Sequence, residues 1–473
     1  MMPSSTIFRA YDIRGIVGTA LTDETAYEIG RATGSEAHEQ GQQTLVVGRD
    51  GRLSGLALQS ALIEGLRATG RDVIDIGQVA TPVLYFATHQ LGARSGIMVT
   101  GSHNPPEYNG FKIVLDRKSL SGDAIGRLHT RIQNRQFTSG SDPSQKGALR
   151  KQDIIPEYIQ RVTEDMPKSP GDTFTIVVDC GNGSAGHIAP ELFRTLGHRV
   201  LEMYCDIDGN FPNHHPDPSQ PENLQDLIKA VLAHGADFGL AFDGDGDRLG
   251  VVDNKGNIIW PDRQLMLFSR DILSRHSDAT IVFDAKCSRY LVEDIRKNGG
   301  RPLMWKTGHS FIKSKMRETG ALLAGEMSGH IFFNDRWYGF DDALYAGARL
   351  IEILLAARSS ADKTSPDEIF ATLPGGVSTP ELRIPMAEGQ SATLMERLMV
   401  EIQSSDLFSN GQTTTIDGLR VDYPDSWGLV RASNTTPSLV LRFEADDQSA
   451  LAHIKEKFRH VLLKLAPGLE IPF

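Results

Sequence analysis

The segment FGLAFDGDGDRLGVV, residues 238–252, decides the fold. Two apolar runs typical of buried strands flank a loop with aspartates on alternate positions. Asp243, Asp245 and Asp247 repel one another unless a cation lies among them, and the intervening glycines let the backbone wrap around it. Carboxylate ligands indicate Mg²⁺ or Ca²⁺ rather than zinc. We therefore predict a hard-metal site where a buried strand ends.

Other interpretations of this loop are an acidic surface turn and a calcium-binding EF-hand. The turn is less favoured because both flanks are apolar, and α/β sheets place their ligand sites where strands end. An EF-hand requires Gly at the sixth position and Glu at the twelfth, which are Arg248 and Asn254 here. A Mg²⁺ with open coordination positions fits better, and Arg248 can contact a phosphate or simply balance the aspartate charges.

Composition limits the class of protein. With 473 residues and 40% hydrophobic content, the chain can bury several cores, and we expect three or four domains. Its net charge of -11 argues against nucleic-acid or membrane-surface binding. Three scattered cysteines, Cys180, Cys205 and Cys287, are typical of reduced thiols in a cytoplasmic protein. The composition is compatible with any oligomeric state, including a monomer.

A repeated pattern predicts the fold class. Three segments begin with a Thr followed by an apolar strand. Downstream of each comes a second pattern, in which a strand, a polar glycine-rich loop and another strand follow one another. The opening segments are 44–50, 175–180 and 280–285, and the later ones are 97–114, 238–252 and 322–333. We predict an α/β protein with three repeated mixed-sheet domains and a C-terminal α+β domain around a central cleft. The predicted domains are 1–155, 156–258, 259–372 and 373–473.

Polar side chains in the corresponding loops are candidate site residues. Ser102 and His103 lie in a loop bounded by Gly and Pro, which lacks the second glycine of a hydrolase nucleophile elbow. Glu326, Ser328 and His330 alternate in the third unit and suit sugar hydroxyls. Additional candidates are Lys286 and His309, at strand ends, and the C-terminal loop 431–437, a possible phosphate cradle or an ordinary turn.

Four loops in this order resemble the active-site loops of the α-D-phosphohexomutase superfamily. They are TGSHNP at 100–105, DGDGDR at 243–248, GEMSGH at 325–330 and RASNT at 431–435, preceded by FRAYDIRG at 8–15. The match covers essentially the whole chain, with about one loop per domain. The resemblance implies a phosphoryl group on Ser102, and Mg²⁺ held by Ser102, Asp243, Asp245 and Asp247 with a phosphate oxygen.

The implied reaction moves a phosphoryl group between the 1- and 6-positions of mannose or glucose phosphates, with a hexose 1,6-bisphosphate as intermediate and activator. The resemblance implies proton transfer by His103 and Lys112 near the serine, and charge neutralisation by Arg248. The expected substrate contacts are Tyr11, Arg14, Lys286, His309, Glu326, Ser328 and His330, and a second phosphate site is expected at Arg431, Ser433, Asn434 and Thr435.

Three other functions are compatible with parts of this pattern. Glucosamine phosphate mutases share the architecture and are the enzyme alternative. A non-catalytic phosphosugar-binding protein would have lost part of the catalytic set, whereas Ser102, Lys112 and the three aspartates are all present. A phosphatase would result if water reached the phosphoserine, which closure by the C-terminal domain should prevent.

Overall fold

The structure is a computed structural model that describes residues 3–138, 146–167, 173–358, 364–387, 389–404, 406–433 and 436–473. In this part of the chain the strands form four sheets. None of the helices among these residues has the length and apolar content needed to cross a membrane.

The first sheet has the strand order β1-β5-β4-β2-β3-β7, with β6 beside β5. Its elements are β1 (Ile13–Ile16), α1 (Asp23–Glu39), β2 (Thr44–Arg49), α2 (Gly55–Ala68), β3 (Asp72–Gln78), α3 (Thr81–Gln90), β4 (Ser95–Val99), β5 (Tyr108–Leu115), β6 (Lys118–Ser119), α4 (Asp123–Gln133) and β7 (Leu149–Lys151). The strands β4, β2, β3 and β7 are parallel, and β5 is antiparallel to β4. This is therefore a mixed sheet.

The second and third sheets have the orders β12-β11-β10-β8-β9 and β14-β13-β15-β16. The second contains α5 (Ile155–Asp165), β8 (Thr175–Asp179), α6 (Ala189–Thr195), β9 (Arg199–Met203), α7 (Gln225–His234), β10 (Phe238–Phe242), β11 (Leu249–Asp253) and β12 (Ile258–Ile259). The third contains α8 (Pro261–Arg275), β13 (Thr280–Asp284), α9 (Arg289–Lys297), β14 (Arg301–Trp305), α10 (His309–Thr319), β15 (Leu323–Gly325), β16 (Ile331–Phe333), α11 (Ala343–Arg358) and α12 (Pro366–Ala371).

The C-terminal sheet is antiparallel, in the order β17-β22-β21-β20-β19 with β18 also beside β22. Its elements are β17 (Val377–Ser378), β18 (Leu382–Pro385), α13 (Gln390–Ser404), β19 (Gln412–Thr414), β20 (Leu419–Asp422), β21 (Ser426–Ala432), β22 (Ser438–Ala445) and α14 (Gln448–Leu465). The predicted fold class, three α/β units and a C-terminal α+β unit, is confirmed. The predicted domain boundaries stay predictions.

The three α/β units share one local topology. In each, a central strand (β2, β8 or β13) lies parallel to a second strand (β4, β10 or β15). That second strand then pairs antiparallel with the next strand along the chain (β5, β11 or β16). The loop joining the last two strands therefore leaves the carboxyl end of a parallel pair, where α/β sheets place ligand sites.

The cores explain why these strands are apolar. All five residues of β10 are buried, as expected for a strand covered by helices on both faces. One hydrophobic cluster runs continuously through the three α/β units, from Val46 to Leu373. Among the described residues, the main C-terminal cluster draws only on positions 377–473. The C-terminal unit thus has a core of its own.

Candidate active site

The loop between β10 and β11, residues 243–247, is called the aspartate loop here. The side chains of Asp243, Asp245 and Asp247 are fully buried, and one oxygen atom of each lies within 4.8 Å of the others. Asp243 Oδ1 accepts hydrogen bonds from the backbone N–H groups of Asp247 and Arg248, at 3.0 and 3.1 Å. Within the described residues, Oδ1 of Asp245 and Oδ1 of Asp247 have no hydrogen-bond partner. Clustered carboxylates with free oxygens fit a hard divalent cation.

The charges of the aspartate loop are only partly neutralised by protein groups. Burial and the neighbouring carboxylates raise the pKa of Asp243 well above its usual value, and they also raise the pKa of Asp247. Lys112, on β5, bonds to Asp247 and places Nζ 2.7 Å from Asp245 Oδ2. Burial alone would raise the pKa of Asp245, but the charge of Lys112 lowers it, and Thr81 donates a 2.5 Å hydrogen bond to the same carboxylate. A dication would supply the missing positive charge.

The serine loop, residues 100–105 between β4 and β5, meets the aspartate loop directly. Ser102 Oγ donates a 3.2 Å hydrogen bond to Asp243 Oδ2 and lies 3.1 Å from His103 Nδ1. Ser102 has a φ of 51°, an unfavourable conformation for a residue with a side chain, and such backbone is concentrated at functional sites. A Cβ on Gly244 would lie 2.4 Å from the Ser102 carbonyl oxygen. The absence of a side chain there lets the two loops touch.

Two charged residues that the sequence analysis did not select hold the serine loop in place. Arg52 is 2% exposed, and its guanidinium donates hydrogen bonds of 2.5–2.9 Å to the carbonyl oxygens of Ser102, Asn104, Pro105 and Tyr108. Asp50 Oδ2 accepts hydrogen bonds from the Thr100 hydroxyl at 2.8 Å and the Gly101 N–H at 3.1 Å. Asp50 directly follows β2 and Arg52 lies two residues further on, but a position after a repeated strand does not single either of them out. The loop that they hold becomes clear only when β2 lies beside β4.

The loop between β15 and β16 brings the third unit to the aspartate loop through His330. His330 Nε2 accepts a 3.1 Å hydrogen bond from Arg248 Nε. Because a guanidinium can only donate, the neutral imidazole must carry its proton on Nδ1. That nitrogen lies 3.4 Å from Asp247 Oδ1 and 3.2 Å from Asp341 Oδ2. His330 is therefore held between two carboxylates and an arginine.

Asp341 and Lys313 form a buried charge pair behind this loop, and neither residue lies in a motif that would have pointed to it. Lys313 Nζ lies 2.8 Å from Asp341 Oδ1, and His309 Nδ1 lies 3.6 Å from Asp341 Oδ2. Burial favours the neutral carboxyl, yet the charge of Lys313 lowers the pKa of Asp341 well below its usual value. Burial and Lys313 lower the pKa of His309 well below its usual value. His309 therefore presents a neutral ring at the start of α10.

A cavity of about 270 Å³ lies where these loops meet. Its lining contains the predicted residues Tyr11, Arg14, Ser102, His103, Lys112, Arg248, Lys286, His309, Glu326, Ser328, His330, Arg431 and Ser433. The three aspartates are not in the lining and contact it through Ser102, Lys112 and His330. Asn434 and Thr435 lie outside the described residues. The structure thus brings together every described residue selected from the sequence, while their individual roles stay predictions.

The cavity favours an anionic ligand. Counted over the described residues, the lining has two carboxylates, Glu326 and Glu381, and seven lysine and arginine residues: Arg14, Lys112, Arg248, Lys286, Arg383, Arg431 and Arg442. Arg383 and Arg442 were not predicted, because neither lies in a recognisable motif. An excess of positive charge around a cavity attracts phosphate groups.

The two cavity carboxylates have opposite electrostatic surroundings. Burial raises the pKa of Glu326 to about 6, and its side chain accepts a hydrogen bond from the Gly308 N–H. Burial would also raise the pKa of Glu381, but Lys286, whose Nζ lies 2.8 Å away, lowers it to about 2. Glu326 therefore titrates near the physiological range, whereas Glu381 remains ionised.

The fold and the site define an enzyme that acts on phosphorylated small molecules, and comparison with known proteins gives the family. Residues 5–139, 156–256 and 260–373 match the phosphoglucomutase/phosphomannomutase alpha/beta/alpha domains I, II and III, and residues 381–461 match the C-terminal domain of the same family. The chain therefore belongs to the phosphoglucomutase/phosphomannomutase family. The predicted resemblance to the α-D-phosphohexomutase superfamily is confirmed.

Individual relatives are similar over their full length. The phosphomannomutase/phosphoglucomutase of Pseudomonas aeruginosa is 54% identical over 472 residues, covering 100% of this chain and 98% of the relative. A phosphoglucomutase of Neisseria gonorrhoeae is 50% identical, covering 96% of each chain. The crystal structure of a phosphoglucomutase/phosphomannomutase family protein from Burkholderia thailandensis superposes with a TM-score of 0.91 at 51% identity, covering 100% of both chains. The chain is thus an enzyme of the hexose phosphate mutase class.

Proposed function

We propose that this enzyme moves a phosphoryl group between the 1- and 6-positions of mannose and glucose phosphates through a phosphorylated Ser102 and a hexose 1,6-bisphosphate. The observation that carries the proposal is the 3.2 Å contact between Ser102 Oγ and Asp243 Oδ2, next to a cavity rich in basic residues. Phosphoryl transfer depends on positioning and on neutralising oxygen charge, and this arrangement supplies both.

Asp243, Asp245 and Asp247 would hold Mg²⁺, with the oxygen on Ser102 as a further ligand. The fit is supported by the clustering of the three carboxylates and by the unpartnered Oδ1 atoms of Asp245 and Asp247 within the described residues. A bound Mg²⁺ neutralises charge on the transferring phosphoryl oxygens and makes the phosphorus more electrophilic. Lys112, which already bonds two of these carboxylates, keeps the cluster from carrying its full negative charge.

The reaction has two half-reactions that balance. In the first, the free hydroxyl of the hexose monophosphate attacks the phosphorus on Ser102. A P–O bond forms to the sugar as the bond to Ser102 Oγ breaks. The hydroxyl proton passes to a base in the cavity. The resulting bisphosphate turns over within the cavity. A P–O bond then forms to Ser102 Oγ as the bond to the other sugar oxygen breaks, the serine proton is given up, and the released sugar oxygen takes a proton from the base. His103, 3.1 Å from that oxygen, is the group best placed to exchange the serine proton, and Arg248 would bind phosphate.

The remaining cavity residues would bind and orient the sugar. Glu326 and Ser328 offer an acceptor and a hydroxyl to the sugar hydroxyls, and Arg431 and Ser433 offer donors to a second phosphate. The names of the relatives at 50–54% identity refer to mannose and glucose phosphates. These names support the mannose and glucose assignment and do not favour the alternative, a phosphoglucosamine mutase.

The substrate proposal is tested by a mutase assay with mannose 1-phosphate, glucose 1-phosphate and glucosamine 1-phosphate, each with Mg²⁺ and a trace of glucose 1,6-bisphosphate. We expect turnover of the mannose and glucose phosphates. Turnover of the amino sugar alone would contradict the proposal. Omitting the bisphosphate should lower the mutase rate of enzyme that lacks phosphate on Ser102. Enzyme that already carries this phosphate should complete its first turnover at the same rate with or without the bisphosphate.

A further inference from the structure

A second cavity, of about 200 Å³, lies between the first and third units, and in the described residues it shares no lining residue with the catalytic cavity. One wall is α3, with Tyr85 and His89, and the opposite wall is α10, with Lys313 and Arg317. The segment 338–340 and the turn after β5 complete it. It is called the α3–α10 cavity here. The helix α10 contributes to both cavities, since His309 at its start lines the catalytic one.

The α3–α10 cavity is cationic. Its lining contains Arg117, Lys313 and Arg317 and, over the described residues, no Asp or Glu. Lys313 pairs with Asp341. Arg117 and Arg317 are exposed residues at the mouth of the cavity, and among the described residues neither guanidinium has a hydrogen-bond or ion-pair partner. Two unpartnered guanidinium groups at one cavity suit a phosphate, whose oxygens match their fork of donors.

The same cavity has an aromatic wall. The rings of Tyr338 and Phe340 stack with centroids 6.0 Å apart and 6° between their planes, and His89 lies 4.7 Å from Tyr338. Tyr85 is 3% exposed, and its hydroxyl has no hydrogen-bond partner within the described part of the chain. A flat ring would pack against this wall.

We propose that the α3–α10 cavity binds a nucleoside phosphate, with its phosphate on Arg117 and Arg317 and its base against the aromatic wall of His89, Tyr338 and Phe340. The combination decides the ligand class. The arginines alone would accept any small anion, and the aromatic wall alone would accept any flat apolar ring, whereas a nucleoside phosphate carries both groups in one molecule.

The test is isothermal titration calorimetry of the full chain with AMP, in the presence of saturating glucose 1,6-bisphosphate to occupy the catalytic cavity. We expect one equivalent of AMP to bind the wild type, with adenosine and inorganic phosphate each binding more weakly. The double variant Arg117→Ser/Arg317→Ser should bind AMP about tenfold more weakly or worse, because it loses two charge-assisted contacts. The control Arg296→Ser removes an exposed arginine of α9 outside the cavity and should bind like the wild type.

Several results would overturn the proposal. They are no AMP binding, equal AMP affinity in the wild type and the double variant, inorganic phosphate binding as tightly as AMP, and loss of AMP binding when the bisphosphate is added. Circular dichroism of the double variant separates loss of the ligand contacts from loss of the fold. Because binding is measured without turnover, an enzyme that failed the mutase assay would still test the second cavity.

Discussion

At the scale of single residues, the site contains a backbone conformation and a cluster of charges that are unfavourable for folding. Ser102 has a left-handed backbone, and three buried carboxylates lie within 4.8 Å of one another. Such arrangements cost stability, and the surrounding structure must compensate for them. Arg52 and Lys112 do so, the first by fixing the backbone of the serine loop and the second by pairing with two aspartates.

Asp245→Asn tests whether the aspartates are present for a cation. The change removes one proposed Mg²⁺ ligand while Lys112 keeps its bond to Asp247, so we expect about 100-fold lower mutase activity and little loss of metal-free stability. Wild-type protein should melt at a higher temperature when Mg²⁺ is added and lose that gain with EDTA, since a ligand that binds only the native state stabilises it. The variant should show neither effect. A large destabilisation without metal would instead assign the triad a structural role.

At the scale of elements, the site exists because two loops from different sheets are in contact. Gly244 lies at that contact, and an added Cβ would come within 2.4 Å of the Ser102 carbonyl oxygen, which is backbone and cannot rotate away. The serine loop and the aspartate loop can therefore reach their 3.2 Å hydrogen bond only with glycine at this position.

Gly244→Ala should separate the two loops. We expect the mutase rate to fall about 100-fold, by the loss of positioning, and the free energy of unfolding to fall by about 1–3 kcal/mol, the usual cost of overpacking. The matched control is Gly126→Ala in α4, where a Cβ would meet no atom within 4 Å. It should keep full activity and gain up to about 1 kcal/mol through helix propensity. Equal behaviour of the two variants in activity assays and urea titrations would refute the argument from loop contact.

His89 on α3 predicts a pH dependence of stability. Burial and the charges of Arg117 and Arg94 lower the pKa of His89 to about 4, from the ordinary value of 6.5. Between these two values the unfolded chain binds a proton that the native protein does not, so this group makes the protein less stable as pH falls from 6.5 to 4. His89→Gln should therefore lose less stability than the wild type between pH 7 and pH 5 in urea titrations. Identical losses would contradict a neutral, partly buried His89.

At the scale of the whole molecule, the C-terminal unit has its own core but is fastened to the third unit by buried polar contacts. Arg420 is 1% exposed, donates hydrogen bonds of 2.8 and 2.6 Å to the carbonyl oxygens of Ala285 and Cys287, and packs 3.8 Å from the ring centroid of Trp427. Glu444 accepts a 2.8 Å hydrogen bond from the Ser288 hydroxyl. The unit is thus docked close to Lys286, which lines the catalytic cavity.

Arg420→Ala should weaken this docking. The buried carbonyl oxygens of Ala285 and Cys287 lose their donor, so we expect the free energy of unfolding to fall by about 2–4 kcal/mol. We also expect the KM for hexose phosphate to rise, because the cavity wall formed by the C-terminal unit is less firmly held. Arg459→Ala removes a partly exposed arginine of the same unit that pairs at 3.3 Å with Glu456 and lies 5.4 Å from the ring centroid of Phe473. Because both contacts are at the surface, the change in stability should be about 0.5 kcal/mol or less. Equal effects in denaturant titrations would show that Arg420 does not hold the unit.

The sequence predicted the fold class and the loops of the site because these carry local patterns. Alternating aspartates and glycines, and strands repeated in a fixed order, can be recognised without knowing where the chain folds. The supporting residues could not be predicted in this way. Asp341 and Lys313 become significant only when α10 packs beside the β15–β16 loop, and Arg52 only when β2 lies beside β4. Pairings between residues distant in sequence leave no local signature.

The central claim is that Ser102 carries the phosphoryl group, and intact-mass spectrometry tests it most directly. Wild-type enzyme and Ser102→Ala are each incubated with glucose 1,6-bisphosphate and Mg²⁺, weighed, and assayed for mutase activity. We predict that the wild type gains the mass of one phosphoryl group and turns over, whereas Ser102→Ala gains none and loses nearly all activity with an unchanged melting temperature. A variant that still gained the phosphoryl mass and kept full activity would contradict the account.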